Sequence, residues 1–224
     1  GPIMRWLLAA LASWLICAPS YAQQAPNAAF WSDYFRKHSV EVHVQKADGQ
    51  YMGSGAIVQY DGVVAIVTNN HVVNPGTRSV SVTFADGVQS PATLIGTGRK
   101  DASSEDVSVL IPQRQIRQGA PLGLMTGAEP QIWATGFGSG YKIHRGKFLG
   151  NDSLDPGLPF PTVLLSYKPI EGDSGGGIYN ERGEVLGVHW GYNGERQGLG
   201  AVGRPFINIV TGAIARYKQQ RQTP

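Results

Sequence analysis

The residues most able to do chemistry lie in Gly172-Asp173-Ser174-Gly175-Gly176-Gly177. Acyl transfer by a serine needs a hydroxyl, a base to take its proton, a group to hold that base, and donors for the oxyanion. Ser174 offers the hydroxyl. The surrounding glycines let the backbone approach a substrate and turn its N–H groups toward one point. Gly172 and Ser174 are therefore the candidate oxyanion donors.

A base and its holder stand earlier in the chain. In Thr68-Asn69-Asn70-His71-Val72-Val73, the apolar run Val63 to Val67 leads up to His71, which places the imidazole where a buried strand emerges. In Asp106-Val107-Ser108-Val109-Leu110, a carboxylate heads an apolar strand. Asp101 competes for that role, but Ala-Ser-Ser-Glu follows it rather than a strand. Each piece alone has a plainer reading: a surface histidine, a turn acid, a structural glycine turn. Their conjunction, in the order His, Asp, Ser, is what points to a site. The spacing Gly172-x-Ser174-x-Gly176 also matches the nucleophile elbow of α/β-hydrolases, which requires an acid and then a histidine after the serine. No aspartate follows Ser174, the later histidine is His189 alone, and Asn180-Glu181-Arg182-Gly183 reads as a hairpin where that fold needs a helix. The elbow reading fails.

The three segments resemble those around the histidine, aspartate and serine of the chymotrypsin-like serine peptidase family, over roughly residues 40 to 215. The resemblance implies a secreted serine endopeptidase acting on polypeptides through an acyl-enzyme intermediate, without cofactor or metal. His71 would be the base, Asp106 the orienting acid and Ser174 the nucleophile. The competing expectation is a catalytically silent relative that binds a peptide or partner in its groove. Val185-Leu186-Gly187-Val188-His189-Trp190-Gly191 resembles the family segment that pairs with substrate as an added strand. Its His-Trp-Gly form is similar to the glutamyl endopeptidase branch. That likeness implies substrate-binding roles for His189, Trp190 and Gly191, with Lys168 at the pocket base and a preference for acidic P1 residues. Pro169 departs from that branch, which places a hydroxyl residue there. In zymogen-activated members the residue at Asp173 pairs with a newly cut N-terminal amine. No matching activation sequence occurs here, so Arg145 or Lys142 is expected to neutralise Asp173.

The elements that must position these residues are short β-like runs. They lie at Val40 to Gln45, Gly55 to Tyr60, Val63 to Thr68, Ser79 to Phe84 and Thr93 to Gly96. Asp48-Gly49, Asp61-Gly62 and Asp86-Gly87 separate them as hairpin turns. The rhythm returns at Gln131 to Thr135, Thr162 to Ser166, Gly177 to Tyr179, Val185 to Trp190 and Leu199 to Gly203. A Pro/Gln/Gly-rich stretch near 112–124 connects the halves, and Phe206 to Lys218 has helical periodicity. The expected fold is all-β, with a C-terminal helix. The family resemblance makes its halves two six-stranded antiparallel β-barrels of chymotrypsin type, about 40–111 and 125–205, within a peptidase domain at 40–224. In the segment 23–39, Phe30, Trp31, Tyr34 and Phe35 are spaced for one face of a short helix that packs on the domain. The same helix is a candidate docking place for a regulatory partner.

The N-terminus has the pattern of a secretory signal: Arg5, the apolar run Trp6 to Ala18, then Ser20 and Ala22 as small residues before a cut after Ala22. Gly1-Pro2-Ile3 precede the natural-looking start and are expected to be a cloning remnant; residues 1–22 are set apart from the fold on this reading. The destination is the periplasm or the medium. The apolar run is shorter than the roughly 20 residues a spanning helix needs, so stable membrane insertion is not expected once the signal is removed. Cys17 is the single cysteine and lies in that run. The mature chain therefore lacks disulfides, thiolate metal clusters and a cysteine nucleophile. Nineteen basic residues against 16 acidic ones, dispersed along the chain, give no footprint for nucleic acid.

Overall fold

The computed structural model describes residues 28–74, 76–99, 102–127, 129–151, 163–165, 170–192 and 198–223. The expected signal with its cleavage point, Asp101 and Lys168 lie outside the described residues.

Valines at alternate positions start the first sheet. In β1 (Ser39–Lys46), Val40, Val42 and Val44 all turn inward and are buried. A two-residue turn, with Lys46 facing Gly49, leads into β2 (Gly49–Tyr60). Asp61 and Gly62 both take positive φ, 49° and 76°, the backbone of a tight hairpin turn into β3 (Val63–Thr68). With β4 (Thr77–Thr83), β5 (Gln89–Thr97) and β6 (Ser108–Pro112), the neighbour order is β1-β4-β5-β6-β3-β2. β1 also pairs with β2, so these six antiparallel strands form a closed barrel. A short β7 (Ala120–Pro121) adds to β2 in parallel. Val40, Val42, Ile57, Ile66, Val82 and Leu110 fill one core cluster of this sheet.

The second sheet comprises β8 (Ile132–Gly136), β9 (Lys142–Gly146), β10 (Phe148–Asn151), β11 (Val163–Leu165), β12 (Gly177–Tyr179), β13 (Val185–Tyr192) and β14 (Gly198–Val202). Its order is β10-β11-β14-β13-β12-β8-β9, antiparallel throughout. Where the family resemblance implies six strands in a barrel, the described residues give seven in an open order. The strands at its two ends, β9 and β10, are separated in the chain by Lys147 alone.

The largest core cluster draws on both sheets and both long helices: Phe35, Val67, Val109, Tyr179, Val188 and Phe206 are among its members. In α3 (Gly203–Gln222), Phe206, Val210, Ala213 and Ile214 fall on one face and are buried. This helix outruns its expected span at both ends. Pro205 suits a first turn, where its missing N–H costs nothing, and the Lys-Gln-Gln-Arg-Gln tail consists of good helix formers. In α1 (Ala28–Lys37), Phe35 is buried against the rings of Tyr179 and Trp133, at centroid distances of 4.7 and 5.8 Å. No helix among the described residues is long and apolar enough to cross a membrane.

Candidate active site

Strand register brings His71 and Asp106 together. Thr68, the last residue of β3, faces Ser108, the first of β6. The chain beyond β3 therefore meets the chain before β6 at one barrel end. His71 lies in a single helical turn, α2 (Asn70–Val73), and Asp106 follows the 3-10 turn Ser103–Glu105. The His71 backbone N–H donates to Asp106 Oδ1 at 2.9 Å, and Nδ1 meets Oδ2 at 2.6 Å. A proton on Nδ1 is what a carboxylate requires there, so Nε2 is left as the basic nitrogen. Asn69 Nδ2 donates to the Asp106 carbonyl at 2.7 Å, and Asn70 Nδ2 to the Gly98 carbonyl at 3.2 Å, which ties both segments to the barrel rim. The imidazole is half-exposed, while the carboxylate side chain is only 14% exposed.

Most backbone polar groups of the Ser174 turn are spoken for. Ser54 Oγ donates to the Gly172 carbonyl at 2.8 Å, and the Ser54 N–H donates to the Ser174 carbonyl at 2.8 Å. Asp173 N–H goes to the Ile170 carbonyl, and the Asp173 carbonyl accepts from Gly176 N–H. Gly175 N–H donates to the His189 carbonyl, and the Gly176 carbonyl accepts from His189 N–H. Among the described residues, the N–H groups of Gly172 and Ser174 have no acceptor. Two donors on one turn, one of them the serine's own, are what a developing oxyanion needs. Gly175 sits at φ 94°, and a Cβ there would lie 2.1 Å from the Ser54 carbonyl oxygen. Only glycine lets the turn close on β2 in this way. Ser174 Oγ donates to the Trp190 carbonyl at 3.3 Å, and among the described residues no hydrogen bond joins it to His71.

Asp173 is fully buried. Its carboxylate accepts from Gly138 N–H at 2.8 Å and Ile170 N–H at 2.9 Å, and it pairs with His144 Nε2 at 3.3 Å. Burial pushes its pKa up, but His144, the two N–H donors and nearby His189 outweigh burial and hold it at about 2. This corrects the expectation of Arg145 or Lys142 as the counter-charge. In β9 one of the two residues between them, His144, faces inward toward the turn, while Arg145 reaches Gln131 Oε1 at 2.8 Å.

The expected substrate-binding set divides. His189 is fully buried, with Nε2 on the Thr135 carbonyl at 2.7 Å. Burial lowers its pKa to about 4, against smaller opposite pushes from Thr135 and Asp173. At neutral pH it is an uncharged ring beneath the Ser174 turn. Trp190 and Gly191 are partly exposed, at a register shift between His189 and Gly191 where β13 pairs with β14. A Cβ on Gly191 would meet nothing within 4 Å. Lys168 lies outside the described residues.

Sequence reasoning missed Ser54, because the strand it expects begins only at Gly55. Its signal was the pair of flanking glycines inside a strand, which marks close backbone approach. A Cβ on Gly53 would come 3.1 Å from the Ser174 carbonyl oxygen. His144 was missed as well, lying in the same short strand as the permanently charged Lys142 and Arg145.

The closed barrel, the second β-sheet and the His, Asp and Ser side chains carried on them define a chymotrypsin-like class of protein. The chain belongs to the trypsin-like peptidase domain family, which it matches over residues 53–188. It is 32% identical over 155 residues to a DegP-like periplasmic serine endoprotease of Pseudomonas savastanoi pv. phaseolicola, covering 65% of this chain and 30% of that one. It is 29% identical over 181 residues to the serine protease HhoA of Synechocystis, covering 76% of this chain and 44% of that one. The chain thus spans less than half the length of either relative. Among solved structures, the HtrA-type protease AlgW with a tripeptide superposes with a TM-score of 0.70 at 20% identity, covering 85% of this chain and 64% of that one. A serine endoprotease from Yersinia pestis gives 0.67 at 19%, covering 86% and 68%. At such identities the likeness concerns the fold.

Proposed function

We propose that this chain is a serine endopeptidase that cleaves peptide bonds through an acyl-enzyme intermediate, in the periplasm or outside the cell. The observation that carries the reading is the pair of unclaimed N–H groups at Gly172 and Ser174 beside a serine, with His71 clasped by Asp106 on the facing barrel. Ser174 Oγ attacks the peptide carbonyl carbon as His71 Nε2 takes its proton, and the carbonyl oxygen gathers charge against the two N–H groups. The C–N bond breaks as His71 returns the proton to the leaving amine. Water, deprotonated by His71, then releases the acid and restores Ser174. Rotation of Ser174 away from the Trp190 carbonyl is needed first, and apo hydroxyls commonly point elsewhere until substrate arrives. Labelling with a serine-directed fluorophosphonate tests the reading: one adduct on Ser174, abolished in His71→Ala, is expected.

The Ser174–Trp190 contact also favours a second reading, a silent fold that binds a peptide in its groove; an unlabelled Ser174 with retained peptide binding selects it. Two further expectations remain proposals. A six-stranded second barrel follows if β9 and β10 are halves of one strand bent at Lys147, since β9 pairs with β8 and β10 with β11. Selectivity for acidic P1 residues, with His189 buried and neutral, rests on Lys168. Sequencing the ends produced from an unfolded protein tests it: enrichment of Asp and Glu at P1 supports that role, and enrichment of small apolar residues removes it.

A further inference from the structure

We infer that His144 is a positioning residue for the oxyanion hole, acting through the buried carboxylate of Asp173. The inference rests on the reading of Gly172 and Ser174 as oxyanion donors. Asp173 stands between those two residues, so the direction of its side chain sets the orientation of the peptides on either side. The carboxylate is held at three points. Gly138 N–H and Ile170 N–H bind it from the backbone, and His144 Nε2 binds Oδ2 from β9. A fully buried carboxylate with no cationic or hydrogen-bonding side chain would be costly, and among the described residues His144 is the side chain that hydrogen-bonds it.

The other titratable group coupled to this pair is His189, from β13. Its Nε2 is taken by the Thr135 carbonyl, and its lowered pKa means it brings no positive charge at neutral pH. Asp173 and His144 come from different parts of the second sheet's chain, 29 residues apart. Their contact therefore exists only when β9 is docked on β8, with His144 opposite Ala134. This couples assembly of the sheet to formation of the hole. Among the described residues the pairing is internal to the folded chain.

The test compares His144→Ala, His144→Gln and a control, Arg145→Ala, whose guanidinium points to Gln131. Circular dichroism and thermal unfolding establish which variants are folded. For a peptide substrate, His144→Ala is expected to lose kcat by tenfold or more with KM changed less than threefold. Outright loss of one oxyanion donor costs about 10²–10³. Rate of Ser174 phosphonylation is expected to fall in parallel. His144→Gln, which keeps an N–H donor, and addition of free imidazole to His144→Ala are each expected to restore part of kcat. If His144→Ala does not fold, His144→Gln carries the comparison through its own kcat-to-KM split. Wild-type kcat in both His144 variants, or losses matching those of Arg145→Ala, overturns the inference while leaving the peptidase reading intact. A wild-type chain that is never labelled at Ser174 overturns both.

Discussion

Asp106 engages His71 twice, taking the backbone N–H on Oδ1 at 2.9 Å and the ring Nδ1 on Oδ2 at 2.6 Å. One carboxylate thus sets both where the histidine stands and which ring nitrogen keeps its proton. Replacement by asparagine preserves the shape but offers an amide where Nδ1–H needs an acceptor. Asp106→Asn is expected to lower kcat by about 10³–10⁴ with little change in KM or unfolding temperature. Steady-state kinetics on a peptide amide, alongside a thermal melt, check this; a variant within tenfold of wild type removes Asp106 from the role.

Ser54 joins the barrel to the turn through both its backbone and its hydroxyl. Its Oγ donates to the Gly172 carbonyl and accepts from Phe137 N–H at 3.0 Å, and the residue is 1% exposed. Ser54→Ala leaves a buried N–H and a carbonyl without partners. The expected loss of stability is about 1–3 kcal/mol, read from the midpoint of denaturant unfolding. Because Gly172 is freed to reorient, kcat should fall as well, by roughly tenfold and so by less than outright donor loss. A stability loss with unchanged kcat would confine Ser54 to holding the fold.

The triad candidates were legible because acyl transfer demands particular residue types, and each sits where an apolar run meets a turn. The strand run Val63 to Thr68 and the Asp61-Gly62 turn could be read for similar reasons: a continuous β-branched apolar run and a positive-φ turn leave local marks. β9 left none. Lys-Ile-His-Arg-Gly is a half-exposed strand without regular alternation, so its pairing with β8 decides its conformation. The burial of His189 was not legible because Val185 to His189 are all buried, with a core cluster on each side of β13. Period-two patterning cannot tell which face looks toward substrate when both are covered.

Acid should weaken the fold before it reaches the carboxylates. His189 titrates at about 4 when folded, below the ordinary 6.5 it regains on unfolding. Between those values the unfolded chain binds more protons, so stability is full above about pH 6.5 and declines as pH falls toward 4. Such a shift corresponds to about 3 kcal/mol at most. The buried His38, whose pKa is also lowered by desolvation, acts in the same direction. Asp173, held at about 2 against an ordinary 3.8, extends the loss below pH 4. Urea unfolding at pH 7.5 and pH 4.5 is expected to show the decline, and His189→Gln to flatten it. Equal midpoints at both values in the wild type would rule out a buried neutral His189.

The N-terminal helix should matter for stability before it matters for regulation. Tyr34 Oη donates to the Gly183 carbonyl at 2.6 Å, and Phe35 is buried against Tyr179 and Trp133. The aromatic face of α1 is therefore occupied by the chain's own second sheet, while Phe30 stays about half exposed. Phe35→Ala opens a cavity in the shared core and is expected to cost about 3–5 kcal/mol. Phe30→Ala, at an exposed position, should stay within about 0.5 kcal/mol of wild type. Denaturant midpoints of the two variants test the contrast. If Phe35→Ala leaves the midpoint unmoved but raises peptidase activity, the helix serves as a detachable regulator rather than as part of the core.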